Sequence, residues 1–194
     1  MSITALERPN LTHTLCFLFS GKAGVGKTYC SDILLELLKN SGLKSAKFPF
    51  AYGVKATATF MGWDGKKDLR GRRLLQVIGQ GGRAYNPNLW VHSTFVRIEE
   101  SVGYPYDAVL IDDWRFINEY EYIMREQLLY KPVRIRVLAP EREILKGTPE
   151  YDEISEKNLD WFEFDHTIEN TSDGPDHVRD LLKRIIHNYI AVKS

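Results

Sequence analysis

The sequence predicts an α/β protein, a mostly parallel sheet with helices on both faces in three layers. Two short apolar runs, residues 15–19 (LCFLF) and 107–113 (DAVLIDD), are too short for helices and read as strands buried on both faces. Segments of helical period alternate with them. A glycine-rich turn follows the first run directly, as a strand-to-helix connection requires.

The elements follow in order. After the glycines, Cys30, Ile33, Leu34, Leu37 and Leu38 recur at helical spacing until Asn40-Ser41-Gly42 stops the helix. Residues 44–48 form a second strand closed by Pro49. The stretch from Tyr52 to Gly103 has no strong strand and reads as several helices joined by turns at 62–65, 79–82 and 86–88. Residues 116–129 are helical in pattern. Residues 133–138 alternate with arginines and read as a strand near an edge. Thr167 and Ile168 sit in a weak last strand. Val178, Leu181, Leu182, Ile185, Ile186 and Tyr189 line one face of a final helix.

Composition bounds the function. The 194 residues suffice for one domain with a real core. With 43% hydrophobic and 27% charged residues the chain is not disordered. Twenty-six basic and twenty-six acidic residues leave no net charge, which argues against coating nucleic acid or anionic membrane. No run reaches the roughly 20 apolar residues of a membrane span. Cys16 and Cys30 cannot build a disulfide scaffold and suit a reducing cytosol, and residues 1–10 lack the apolar core of a secretory signal. The expectation is a single cytoplasmic domain spanning 1–194, with small-molecule partners and no membrane or nucleic acid. A homodimer is compatible with it.

The strongest motif is Gly21-Lys22-Ala23-Gly24-Val25-Gly26-Lys27-Thr28, a full match to G-x-x-x-x-G-K-[ST], with a strand before it and a helix after. Glycines let successive N–H groups turn toward phosphate oxygens, and the helix N-terminus adds its positive dipole end. Lys27 is expected on the β- and γ-phosphates of a triphosphate and the Thr28 hydroxyl on Mg²⁺. Asp112 and Asp113 end the second buried run at the same sheet edge, so the two segments should meet. Asp112 directly ends the apolar residues and takes the magnesium role; Asp113 takes the acceptor side. A cap or turn role is an equal alternative for either alone.

Basic residues concentrate between the second strand and these carboxylates. Arg72, Arg73 and Arg83 point to a second anion, because the guanidinium fork binds two phosphate oxygens at once. About 100 degrees separates neighbours on a helix, so one of Arg72 and Arg73 faces the cleft. Lys66 and Lys67 read as a solvated face. Trp63, Tyr85 and Trp90 read as core aromatics ahead of base stackers. The stretch 139–163 is either a lid that brings Arg142 over the triphosphate or an exposed salt-bridged loop. The five histidines show no metal-ligand spacing.

Together with the glycine loop, Phe48-Pro49-Phe50-Ala51, Lys55, Arg73-Leu74-Leu75-Gln76-x-x-Gly79, Arg83, Asn88-x-Trp90 and Asp112-Asp113-x-Arg115-Phe116-x-Asn118-Glu119 resemble the deoxynucleoside monophosphate kinases of tailed bacteriophages. The similarity runs from about Leu15 to Asn170. Residues 165–170 also resemble the closing strand of nucleotide and dephospho-coenzyme A kinases. The resemblance implies a P-loop NTPase sandwich with five parallel strands in the order 2-3-1-4-5. It also implies a helical acceptor-binding insertion at 50–103 and a short lid at 139–163. It implies transfer of the ATP γ-phosphoryl group, with Mg²⁺, to a deoxynucleoside 5′-monophosphate in the cytoplasm, that of the host if the gene is a phage's. Carried over by position, Lys27, Asp112, Arg115 and Arg142 are catalytic. Arg72 or Arg73, Arg83 and Arg115 hold the acceptor phosphate. Lys55, Trp90, Asp113 and Glu119 contact the acceptor. Arg142 stands alone where adenylate kinases carry several lid arginines. A kinase of another phosphorylated small molecule, of the dephospho-coenzyme A or phosphomevalonate type, is the alternative. A nucleotide switch is disfavoured, because no Asn-Lys-x-Asp guanine reader is present.

Overall fold

A computed structural model describes residues 12–139, 157–171 and 175–190. The chain runs β1 (Thr14–Ser20), α1 (Lys27–Asn40), β2 (Ser45–Lys47), α2 (Ala51–Phe60), α3 (Leu69–Tyr85), α4 (Leu89–Glu99), β3 (Ala108–Ile111), α5 (Ile117–Glu126), β4 (Tyr130–Leu138), β5 (His166–Glu169) and α6 (Pro175–Tyr189). The five strands make one sheet in the order β2-β3-β1-β4-β5, every pair parallel. This is the order the resemblance implies.

Alternation along the central strand divides the core in two. Phe17 and Phe19 of β1 join Leu34 and Leu38 of α1 and Leu182 and Ile185 of α6 on one face. Cys16 and Leu18 point the other way, toward Phe95 and Ile98 of α4, Ile123 of α5 and Trp114. Both faces of β1 are thus covered, which is why its sequence is apolar without alternation. Each such side chain contributes about 1.5–3 kcal/mol on leaving water. Cys16 and Cys30 are free thiols inside these cores. Among the described residues, no helix is long and apolar enough to cross a membrane.

One expectation changes. No turn interrupts residues 79–82: α3 continues through them. Gly82 and Gly53 sit against the Trp90 ring from α3 and α2, and a Cβ at Gly82 would overlap it, while the Trp90 indole donates to Gly79 O at 3.0 Å. These glycines permit close helix approach, a use that local sequence does not separate from a turn. As expected, β4 lies near an edge, one place in, between β1 and β5. Its arginines are covered by residues 160–165. Arg134 binds Asp165 through both Nε and Nη2, and Arg136 lies 5.4 Å from the Phe164 ring centroid.

Candidate active site

The C-terminal ends of β1 and β3 lie side by side, with Leu18 opposite Ile111, so the glycine loop and the Asp112-Asp113 pair emerge together. Between them and the 50–103 helices opens a cleft of about 600 Å³. Its walls include Ala23, Gly24, Lys27 and Thr28 on one side and Lys55, Arg72, Arg83 and Trp90 on the other. Asp112, Asp113, Arg115 and Glu119 lie between.

The loop is held in shape by its own glycines and by β5. Gly24 and Gly26 have φ of 85° and 94°, a region costly for other residues. A Cβ on Gly21 would overlap the carbonyl of Val137, and one on Gly26 would overlap the Asn170 amide. Asn170 is buried and donates from Nδ2 to Val25 O at 2.8 Å. Lys27 Nζ donates to Gly21 O at 2.7 Å and Lys22 O at 2.8 Å, so its ammonium rests on the loop. Val25 packs in the core. Lys22 turns away to an ion pair with Asp160, 2.8 Å, which Arg136 shares at 2.6 Å. Burial opposes charge on Asp160, yet the hydrogen bonds from Lys22 and Arg136 hold its carboxyl below the usual range.

The two aspartates do different work. Asp112 is buried and 3.1 Å from Lys47, whose ammonium also meets Asp32 at 2.8 Å. Burial works against charge on Lys47, but Asp32 and Asp112 keep its pKa raised. Asp113 accepts from Phe50 N at 2.8 Å and Ala51 N at 2.9 Å, tying the start of α2 to the end of β3. Burial raises its pKa, the two amides lower it, and the neighbouring Asp112 raises it further. Asp113 lines the cleft while anchoring the start of α2, not the helix that follows it in sequence.

Arg83 lies with its guanidinium carbon 4.3 Å from the Phe116 ring centroid, and burial pulls its pKa below the arginine norm. Glu119 is buried; its Oε2 accepts from Arg115 N at 3.0 Å and Phe116 N at 3.1 Å, closing the first turn of α5. Burial, opposed by those amides and assisted by Asp113, raises Glu119 to about 7. Arg72 lines the cleft and its Nε donates to Lys67 O at 2.9 Å; Arg73, one residue on, is exposed and is not among the lining residues. Trp90 is wedged among α2 and α3 with part of its ring at the cleft, again both packing and lining. Arg142 lies outside the described residues, as does most of 139–163.

In the sequence Lys67 reads as part of a solvated face, and Gln76, Asp160 and Arg97 have no role of their own. Lys67 and Gln76 line the cleft. Asp160 holds the glycine loop's lysine. Arg97 stacks 3.8 Å from the Tyr52 ring centroid and 5.2 Å from that of Phe48, and its Nη2 donates to Pro49 O at 3.4 Å. Its Nε is buried without a hydrogen-bond partner among the described residues. Gln76 stood inside the Leu74-Leu75-Gln76 run and was the one with a local signal.

No protein-family model matches the chain. It is 29% identical, over 145 residues, to the uncharacterized protein ORF76 of Ictalurid herpesvirus 1 (strain Auburn), a match covering 73% of this chain and 55% of that protein. The chain therefore spans about half the length of the curated relative it matches. Among solved structures it is similar to a Chloroflexus aurantiacus protein assigned as a kinase, with TM-score 0.52, 12% identity, and coverage of 92% of this chain and 97% of that one. It is also similar to shikimate kinase from Bacteroides thetaiotaomicron, with TM-score 0.50, 12% identity, and coverage of 90% and 97%. The chain has the α/β P-loop fold seen in these kinases.

Proposed function

We propose that the protein is an ATP-dependent kinase that phosphorylates deoxynucleoside 5′-monophosphates by direct in-line transfer. One observation carries the reading: a single cleft joins the glycine loop to a wall of lysine and arginine, with Asp112, Asp113 and Glu119 between. A triphosphate on the loop then points its terminal group at an anion on that wall. Reaction in this family of folds rests on positioning and charge neutralisation. The attacking phosphate oxygen is already ionised, so no strong general base is needed.

In this reading Gly21, Lys22, Ala23, Gly24, Val25 and Gly26 supply the loop that wraps the ATP phosphates, chiefly through backbone amides. Lys27 leaves its carbonyl rests to neutralise the β- and γ-phosphates. Arg72, Arg83 and Arg115 hold the acceptor phosphate. Lys55 and Trp90 from residues 50–103, with Asp113 and Glu119, contact the acceptor. Arg142, which lies outside the described residues, is the proposed ligand of the transferred group. Residues 157–163 are not part of a lid, since Leu159 is buried in the core and Asp160 is paired with Lys22 and Arg136.

The Thr28 hydroxyl and the Asp112 carboxylate both line the cleft, and hard oxygen donors of this kind suit Mg²⁺. These two residues would hold it, and it would neutralise phosphate charge there. The measured release of ADP, over a panel of deoxynucleoside and ribonucleoside monophosphates, dephospho-coenzyme A and phosphomevalonate, tests the acceptor. Diphosphate product from a deoxynucleoside monophosphate is the expected result. Turnover of only one of the other acceptors would replace this reading, and ATP hydrolysis without any phosphorylated product would end it.

A further inference from the structure

We propose that Lys67 is an acceptor-phosphate ligand, completing a three-cation cradle with Lys55 and Arg72 at the rim of the cleft next to Asp112 and Asp113. The inference rests on the kinase reading of the cleft and adds to it a residue that neither the motifs nor the resemblance supplies.

The loop that carries Lys67 is built around it. The Trp63 indole donates to Lys66 O at 2.9 Å. Asp64 accepts from Lys66 N at 3.0 Å, and Asp68 accepts from Gly71 N at 2.8 Å. Arg72 Nε takes the Lys67 carbonyl. Gly71 is packed so close to Lys66 O that a Cβ there would overlap it. Backbone groups on both sides of Lys67 are therefore fixed by partners from residues 63–72. The two adjacent lysines diverge: Lys66 Nζ pairs with Asp64 at 3.4 Å, while Lys67 lines the cleft.

The charge around Lys67 is unbalanced. Lys55 and Arg72 line the same wall, and among the described residues none of the three has a carboxylate within ion-pair distance. Partial burial and then repulsion from Lys55 and Arg72 lower the Lys67 pKa, with Asp112 and Asp113 opposing. Three cations lining one cleft match a dianionic phosphate, which relieves the repulsion at Lys67 on binding. Arg83, by contrast, already has Glu119 as an electrostatic partner.

The test is isothermal titration of the wild type, Lys67→Ala, Lys67→Arg and Lys66→Ala with each deoxynucleoside 5′-monophosphate, its unphosphorylated nucleoside, and inorganic phosphate. Steady-state turnover is measured in parallel. Loss of one charge-assisted contact predicts about tenfold or greater weakening of monophosphate and inorganic phosphate binding in Lys67→Ala. Nucleoside and ATP binding should be unchanged, Lys67→Arg should recover part of the loss, and Lys66→Ala should behave as wild type. Equal monophosphate affinity in wild type and Lys67→Ala overturns the assignment, even in an active kinase. Lys67-dependent phosphate binding by a protein that phosphorylates no deoxynucleoside monophosphate upholds the cradle and overturns the acceptor reading instead.

Discussion

Asn170 reaches from the end of β5 to the carbonyl of Val25, 2.8 Å away, so the sheet's edge strand holds the glycine loop from behind. The amide also occupies the space next to Gly26, where no Cβ fits. Loop shape is thus set by a residue more than 140 positions downstream.

Asn170→Ala should destabilise the fold by about 1–3 kcal/mol, the cost of leaving a buried carbonyl without its donor. It should also weaken ATP binding more than acceptor binding. Thermal unfolding and nucleotide titration check both.

Lys27→Ala removes an ammonium that rests on two loop carbonyls at the mouth of the cleft, and Lys27 is not a member of either apolar core cluster. Turnover should fall about 10²- to 10³-fold, as when one preorganised donor to developing charge is lost. The melting temperature should shift little. Rate and melting curves on the same preparation separate the two effects.

Glu119 has a pH consequence. Its pKa is about 7 when folded against an ordinary 4.5, so between those values the folded state keeps a proton that the unfolded state has released. Its contribution to stability is therefore full below about 4.5 and declines as pH rises through about 7. Glu119→Gln keeps an oxygen for the Arg115 and Phe116 amides but cannot ionise. Denaturant unfolding from pH 4 to 8 should show the variant gaining on the wild type as pH rises.

Arg97 and Asp113 grip the same corner, residues 48–52, one through ring faces and the other through backbone amides. Arg97→Leu gives up the two stacked contacts but also removes a buried, unpartnered Nε, so stability should change by about 1 kcal/mol or less. The start of α2 loses one anchor, so the acceptor KM should rise while the ATP KM stays put. Initial-rate kinetics with each substrate varied will show the split.

The parts of this molecule readable from sequence were those with local causes. The glycine loop, the strand before it and Asp112-Asp113 carry their chemistry in consecutive residues, and the structure sets them at one sheet edge. Lys67 was not readable, because Lys66 beside it has the same chemistry and only the pins from Trp63, Asp68 and Arg72 send the two apart. Gly79–Gly82 looked like a turn because the ring that Gly82 accommodates, and whose indole meets the Gly79 carbonyl, belongs to Trp90 of the next helix. Asp160 and Arg97 act across the fold on partners with no fixed spacing to them. The arginines of β4 placed it near an edge, where it lies, but did not reveal the aromatic and acidic cover that residues 160–165 lay over them.

The central claim is that two nucleotides meet end to end in one cleft. Adenosine joined through five phosphates to each of the four deoxynucleosides gives compounds that fill both halves at once. Inhibition kinetics should find at least one of them competitive against ATP and also against the monophosphate acceptor. Competition with ATP alone, for all four, would contradict the account.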